Sequence, residues 1–329
     1  MDAPIKIVLL AVAALLVTTA TASAQVGEYT VCDKAGDATI VAVSVATCGE
    51  ADAVAAALAT TPADGSAAVL RTAGWAPLRA AASENGDAYD LTATRGRAAL
   101  WIRRPGVAPD LDGWAAGREL LFSRGTLVGG QPPPKGSVLC TSAFLIRLSG
   151  SLGGLSAAHC GGVRSDRTTS RRNAALRRPP QPGIVVGSVR RNLARTKPID
   201  ALVLPIPSGP TRPSSDVIDR GVPRPPWFVV GKARPLLGRR VCYAGRTSGA
   251  DQCGRIIRSF PRTHLPCTTI TAREGDSGGP VYTAPLPDGT VRAVGITTLV
   301  YGLLQSMCFT PIDPVLHALH ATLVTSAAP

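Results

Sequence analysis

A chain of 329 residues that is 45% hydrophobic is long for one domain and comfortable for two, and it carries enough apolar content to bury a substantial core. Its eight cysteines, an even number, suit an oxidising compartment, and they lack the paired short spacing of a zinc site, so neither a metal nor an organic cofactor is expected. The formal net charge of +13 at pH 7 leaves contact with a polyanion open.

Residues 1–24 read as a secretory signal. Lys6 precedes the apolar run Ile7–Val17, and Ala22-Ser23-Ala24 fits the small-x-small cleavage rule, so the mature chain is expected to begin at Gln25. That run is shorter than the roughly 20 residues that span a bilayer, and no later stretch reaches that length. A soluble, extracellular product with no membrane contact after signal removal is the expectation.

Residues 25–126 read as a small α+β module. Cys32 and Cys48 are expected to form a local bridge, Glu50–Ala59 an alanine-rich helix, and Ala67–Ala73 a second helix ending at Gly74. Trp75–Ala80, Ala88–Thr94 and Ala98–Arg103 read as three strands between Asn, Gly and Arg turns. This stretch carries nine Lys/Arg against twelve Asp/Glu, net −3, and residues 127–329 carry twenty-five against nine, net +16. Opposite signs favour docking of one part onto the other.

From Leu127 onward, short apolar runs rich in Val, Ile and Thr alternate with Pro/Gly turns, which reads as an all-β double barrel. Examples are Ala143–Arg147, Ala201–Leu204, Trp227–Val230 and Ala293–Thr297, and the last segment, from Asp313, has helical spacing.

The stretch Thr271–Tyr282 places Ser277 in a glycine-rich turn that opens into an apolar strand. Gly275, Gly278 and Gly279 let the backbone bend tightly and leave the Gly275 and Ser277 amides free to face a developing oxyanion. A serine hydroxyl needs a base, and the base needs an orienting group. Of the four histidines, His159 ends the strand Gly153–Cys160, where Cys160 can pin the turn to Cys140; His264 lies in a Pro/Arg/Thr loop, and His317 and His320 belong to the last helix. The orienting carboxylate should open an apolar strand, and Pro198–Leu204 supplies Asp200, whereas Asp166 lies in an arginine-rich loop and Asp216 and Asp219 in a polar turn.

Ala-Ala-His-Cys followed far downstream by Gly-Asp-Ser-Gly-Gly-Pro resembles the chymotrypsin-like serine peptidases, in the order His, Asp, Ser that this family uses. The likeness is closest to the secreted bacterial streptogrisin and alpha-lytic type. It implies a chymotrypsin-like double β-barrel with a C-terminal helix over residues 127–329, a protein or peptide substrate, and catalysis by His159, Asp200 and Ser277 with Gly275 and Ser277 as oxyanion donors. It also implies bridges Cys140–Cys160 and Cys242–Cys253, and Cys267 and Cys308 are expected to pair; each should contribute roughly 2–4 kcal/mol. The N-terminal module, by the same likeness, is a pro-region acting as intramolecular inhibitor or folding aid, with Leu127-Val-Gly-Gly as the start of the mature enzyme. The buried aspartate before the nucleophile, Asp276, would then pair with Arg246 or with the Leu127 amine.

The resemblance puts Thr271 at the floor of the specificity pocket, where trypsin-like enzymes carry an acid, and Thr298, Leu299 and Val300 on the substrate-pairing strand. Small or medium apolar side chains are therefore the expected preference. The loop Arg164–Arg178 is basic but has little aromatic interleaving, so no nucleic-acid partner is expected, and a monomer is assumed. A second reading stays open, in which the triad is idle and the chain is a chymotrypsin-fold binding protein acting through its module or its basic surface.

Overall fold

The computed structural model describes residues 25–326 apart from 27–28, 33–37, 39, 45, 83–86, 107–113, 129–130, 163–172, 179–180, 196, 207–213, 222–223, 260–264 and 302–305. The signal segment, His264 and most of the basic loop lie outside the described residues.

In the N-terminal part, β1 (Gln25–Val26), β2 (Tyr29–Cys32), β3 (Ile40–Ser44), β4 (Ala76–Ala82), β5 (Ala88–Arg95) and β6 (Ala98–Pro105) form one antiparallel sheet in the order β1-β2-β3-β6-β5-β4. Helices α1 (Cys48–Ala59) and α2 (Ser66–Thr72) stand between β3 and β4 in the chain. Helix α1 buries Ala51, Val54, Ala55 and Leu58, a stripe at helical spacing, and the Cys32–Cys48 disulfide ties its first residue to β2. The chain leaves α2 through Gly74, whose φ of +80° suits a residue without Cβ. Beyond the three strands legible in the sequence the sheet holds β1, β2 and β3, which are too short to show a period.

Alternation along these strands serves two cores. Val41, Val43, Leu91, Leu100 and Ile102 pack with the helices, whereas Ala42, Ala99 and Trp101 join Tyr29 and Leu78 on the other face. That second face is covered by Ala115, Val217 and Phe228 from the rest of the chain. With both faces covered, β5 and β6 are almost continuously buried, polar Asp90, Thr92 and Thr94 included. The contact between the two parts is thus mainly apolar, and its ion pair Arg97–Asp288 takes the cation from the acidic module, so net charge is not what joins them. Trp101 also donates from Nε1 to the buried Asp90 (3.0 Å), which holds Arg103 as well. Replacing Trp101 by Ala should cost about 3–5 kcal/mol in urea denaturation; a loss below about 1 kcal/mol would mean that this face contributes little.

The C-terminal body begins earlier than residue 127. Strand β7 (Trp114–Ala116) pairs with β16 (Ser214–Ile218), and β8 (Glu119–Ser123) lies between β9 (Val138–Thr141) and β12 (Asn173–Arg178). Trp114 donates to the Ala143 carbonyl and lies over Gly154, where any Cβ would overlap its indole. Strands β7 and β8, which precede the boundary expected at 126/127, thus pair with strands that follow it. Leu127 packs on Leu121 and Ala175.

The first half of the body is completed by β10 (Leu145–Leu148), β11 (Ser151–Ser156), β13 (Gln181–Ser188), β14 (Arg191–Asn192) and β15 (Leu202–Pro205). Its two sheets, β13-β12-β8-β9 and β14-β15-β11-β10-β24, the last being Ala321–Leu323, enclose Trp114, Leu120, Phe122, Leu145, Leu202 and Leu204. Strand β17 (Trp227–Lys232) leads into the second half, made of β18 (Arg240–Gly245), β19 (Gly249–Ser259), β20 (Pro266–Thr271), β21 (Pro280–Thr283), β22 (Thr290–Tyr301) and β23 (Ser306–Pro311). The order β21-β18-β19-β20-β23-β22 closes on itself through the β21–β22 pairing, giving a six-stranded barrel. The expected all-β double-barrel body with a C-terminal helix is what the chain forms.

Helix α3 (Ile312–Leu319) buries Ile312, Val315, Leu316 and Leu319 in the core shared by both halves, with Phe144, Ile146, Tyr282 and Ile296. It is shorter than the sequence spacing suggests. His320 turns left-handed at φ +51°, and β24 (Ala321–Leu323) then pairs with β10. His317 and His320 are exposed.

Candidate active site

His159 stands in a single helical turn, Ala158–Gly161, directly after β11. Three constraints fix it. Cys160 is bonded to Cys140 on β9, Asn192 donates to the Ala158 carbonyl, and Asp200 reaches the histidine itself. Asp200 Oδ1 accepts from the His159 backbone amide (2.9 Å), and its Oδ2 lies 2.7 Å from Nδ1. A proton on Nδ1 satisfies that contact, which leaves Nε2 as the basic nitrogen. The side chain keeps 43% exposure, enough for Nε2 to face a cleft. Burial pulls the His159 pKa down, but the hydrogen bond and charge of Asp200 more than offset it, and the net shift is upward.

The turn bearing Ser277 is seated on the same strands. Thr141 donates its amide to the Ser277 carbonyl (2.8 Å) and its hydroxyl to the Gly275 carbonyl (2.9 Å), and Thr141 follows the cysteine that is bonded to the neighbour of His159. Gly278, at φ +89°, leaves no space for a Cβ against Ser156, Thr141 and Ala157. Gly278 and Gly279 are further tied to Thr297 on β22. Among the described residues, the Gly275 and Ser277 amides and the Ser277 hydroxyl make no hydrogen bond, and Ser277 is partly exposed. The structure therefore gathers His159, Asp200, Gly275 and Ser277 at the junction of the two halves of the body.

Asp276 is fully buried, and neither expected partner reaches it. Arg246 pairs with Glu119 on β8 instead, and Leu127 is internal. Asp276 Oδ1 accepts from the Thr247 and Ser248 amides (2.8 and 3.0 Å), and Oδ2 accepts from the Ser248 hydroxyl (2.6 Å), the Arg273 amide (2.8 Å) and the Tyr243 hydroxyl (3.0 Å). Burial is the largest effect and pushes the Tyr243 pKa well up; the Ser248 hydrogen bond, the next largest, opposes it, and the charge and hydrogen bond of Asp276 add to the rise, so the phenol stays a donor. These partners were not singled out in the sequence, although the polar run Arg246-Thr-Ser248 between Gly245 and Gly249 marks a turn rich in donors.

Thr271 ends β20, exposed, opposite Ser306 on β23, and β22 lies on the far side of β23. Thr298 shares a hydrogen bond with Thr310 (2.8 Å). The backbones of Leu299 and Val300 pair with Cys308 and Met307, but their side chains lie outside the described residues. Cys242 is bonded to Cys253 and Cys267 to Cys308. Cys140, Cys160 and His159 lie close enough together to resemble a metal cluster, yet the two sulfurs are joined as a disulfide and offer no thiolate.

No protein-family model and no curated protein matches the chain. Solved structures do resemble it. Thermobifida fusca protease A is 23% identical over 64% of this chain and 97% of that one, with a TM-score of 0.43. Nocardiopsis protease is 22% identical over 64% and 98%, with a TM-score of 0.44. An alpha-lytic protease homologue, N4, is 22% identical over 64% and 98%, with a TM-score of 0.46. At these scores the likenesses add nothing to the geometry above.

Proposed function

We propose that the protein is a secreted serine endopeptidase that cleaves peptide bonds by acyl transfer. The observation that carries this reading is Asp200 gripping His159 at two atoms, beside a turn whose Gly275 and Ser277 amides are unengaged. His159 Nε2 takes the Ser277 proton as the oxygen attacks the substrate carbonyl. The two amides hold the oxyanion, and the imidazolium, stabilised by Asp200, returns the proton to the leaving amine. Water then repeats the cycle on the acyl-enzyme.

Thr271 supplies no charge for a basic side chain, which supports a small or medium apolar preference. Residues 1–24 serve as the export signal, and the N-terminal module as folding aid or inhibitor. Because Trp114 and β8 belong to the body, the mature fragment retains Trp114 rather than starting at Leu127. The core shared by Trp101, Val217 and Phe228 favours a second reading, in which the module stays in place as a permanent domain and the chain works by binding.

A fluorophosphonate probe separates the two. Intact mass should show one adduct on the wild type and none on Ser277→Ala. A processed, folded wild type that takes no label would remove the peptidase reading in favour of the binding protein.

A further inference from the structure

The turn at residues 234–238, between β17 and β18, projects two leucines into solvent: Leu236 is 53% and Leu237 74% exposed. The turn is braced rather than loose. Leu236 N donates to the Arg234 carbonyl, Arg239 N to the Leu236 carbonyl, and Gly238 N to the Ile256 carbonyl. Two arginine side chains hold it as well, Arg239 on the Arg234 carbonyl and Arg255 on the Gly238 carbonyl. Ile257, beside the paired Ile256, is 40% exposed.

Arg234, Arg239, Arg240, Arg255 and Arg258 flank these aliphatic residues along the two segments, Arg240 pairs with Arg255 across β18 and β19, and no Asp or Glu occurs in 232–240 or 252–258. Among the described residues none of the five is ion-paired. Asp251, the acid nearest to them in sequence, is engaged with Arg220, and Asp313 is engaged with Lys232. We propose that this turn docks the protein onto the surface of an anionic phospholipid bilayer. The leucines enter the headgroup boundary, and the arginines meet lipid phosphates at its level. A projecting apolar tip suits a deformable interface better than a rigid partner, which would have to offer a matching groove. The contact lies on the surface and spans nothing: no helix among the described residues is long and apolar enough to cross a membrane.

The test is co-sedimentation of the full chain with phosphatidylcholine vesicles, with and without phosphatidylglycerol. The wild type should bind only the anionic vesicles. The double variant Leu236→Ser/Leu237→Ser keeps every charge and should lose roughly tenfold or more in partitioning. Arg240→Glu should also weaken binding, while Arg147→Glu, exposed on β10, should not. Unchanged binding of the leucine variant would reduce the effect to adsorption of a basic protein and overturn the proposal. So would absence of binding, or a wild type whose dimerisation in solution depends on the two leucines. Unaltered thermal unfolding of each variant excludes loss of fold as the cause.

Discussion

Asp200→Asn is expected to lower kcat/KM about 10⁴-fold with little change in fold, the size associated with loss of the correct imidazole tautomer in a triad. The carboxylate accepts from the His159 backbone amide and faces Nδ1 at once. An asparagine that keeps its oxygen on the backbone amide must turn its NH2 toward Nδ1. The ring then meets it with a lone pair there and carries its proton on Nε2, where it cannot receive one from Ser277. The pH profile gives a second readout. Burial lowers the His159 pKa and the Asp200 hydrogen bond and charge raise it further, so the wild-type value lies above the ordinary 6.5. Activity needs the neutral ring, so the acidic limb of kcat/KM falls above pH 6.5 in the wild type and moves down in Asp200→Asn. The stability linkage has the same origin. A pKa raised on folding stabilises the protein fully below the unfolded value and is lost as pH rises through the folded one, so this part of the cost of Asp200→Asn is greatest at low pH. An acidic limb that moved upward, or a loss of less than tenfold, would remove Asp200 from its role.

The sequence made the chemistry more legible than the boundaries. Ser277, His159 and Asp200 could be singled out as candidates because each has a rare local context: a glycine turn, a histidine beside a cysteine at a strand end, and an acid opening an apolar strand. Helices α1 and α3 were readable from burial stripes at helical spacing. The start of the C-terminal body was not, because Leu127-Val-Gly-Gly mimics a chain start, whereas Trp114–Ala116 is too short to show a period and is a strand only through its pairing with β16. In sequence β5 and β6 read as ordinary strands. That their second face is covered by Ala115, Val217 and Phe228 is a long-range fact with no local signature. The partners of Asp276 escaped for a related reason: a carboxylate satisfied by amides and hydroxyls needs no cation, so a search among charged residues does not find them.

Asp276→Ala is accordingly expected to be the most destabilising polar substitution in the body, by about 4 kcal/mol or more, because it leaves buried donors without an acceptor. Tyr243→Phe removes one of the five donors and should cost only about 1–2 kcal/mol. Asp276→Asn should fall between them: the Tyr243 and Ser248 hydroxyls can rotate to accept from an amide, but the backbone N–H groups of Thr247, Ser248 and Arg273 cannot. The effect should reach the chemistry too. Asp276 is flanked by the two proposed oxyanion donors and ties their turn to the segment 243–248, so Asp276→Asn should slow fluorophosphonate labelling of Ser277 even where the protein remains folded. Arg246→Ala, which breaks the pair with Glu119 and leaves all five hydrogen bonds of Asp276 in place, should label at a rate much closer to wild type. The reverse ranking, with Arg246→Ala slower than Asp276→Asn, would make the guanidinium the support of the turn. The observed ring of neutral donors implies instead that, in this chain, the buried carboxylate beside Ser277 is held by hydrogen bonds from amides and hydroxyls.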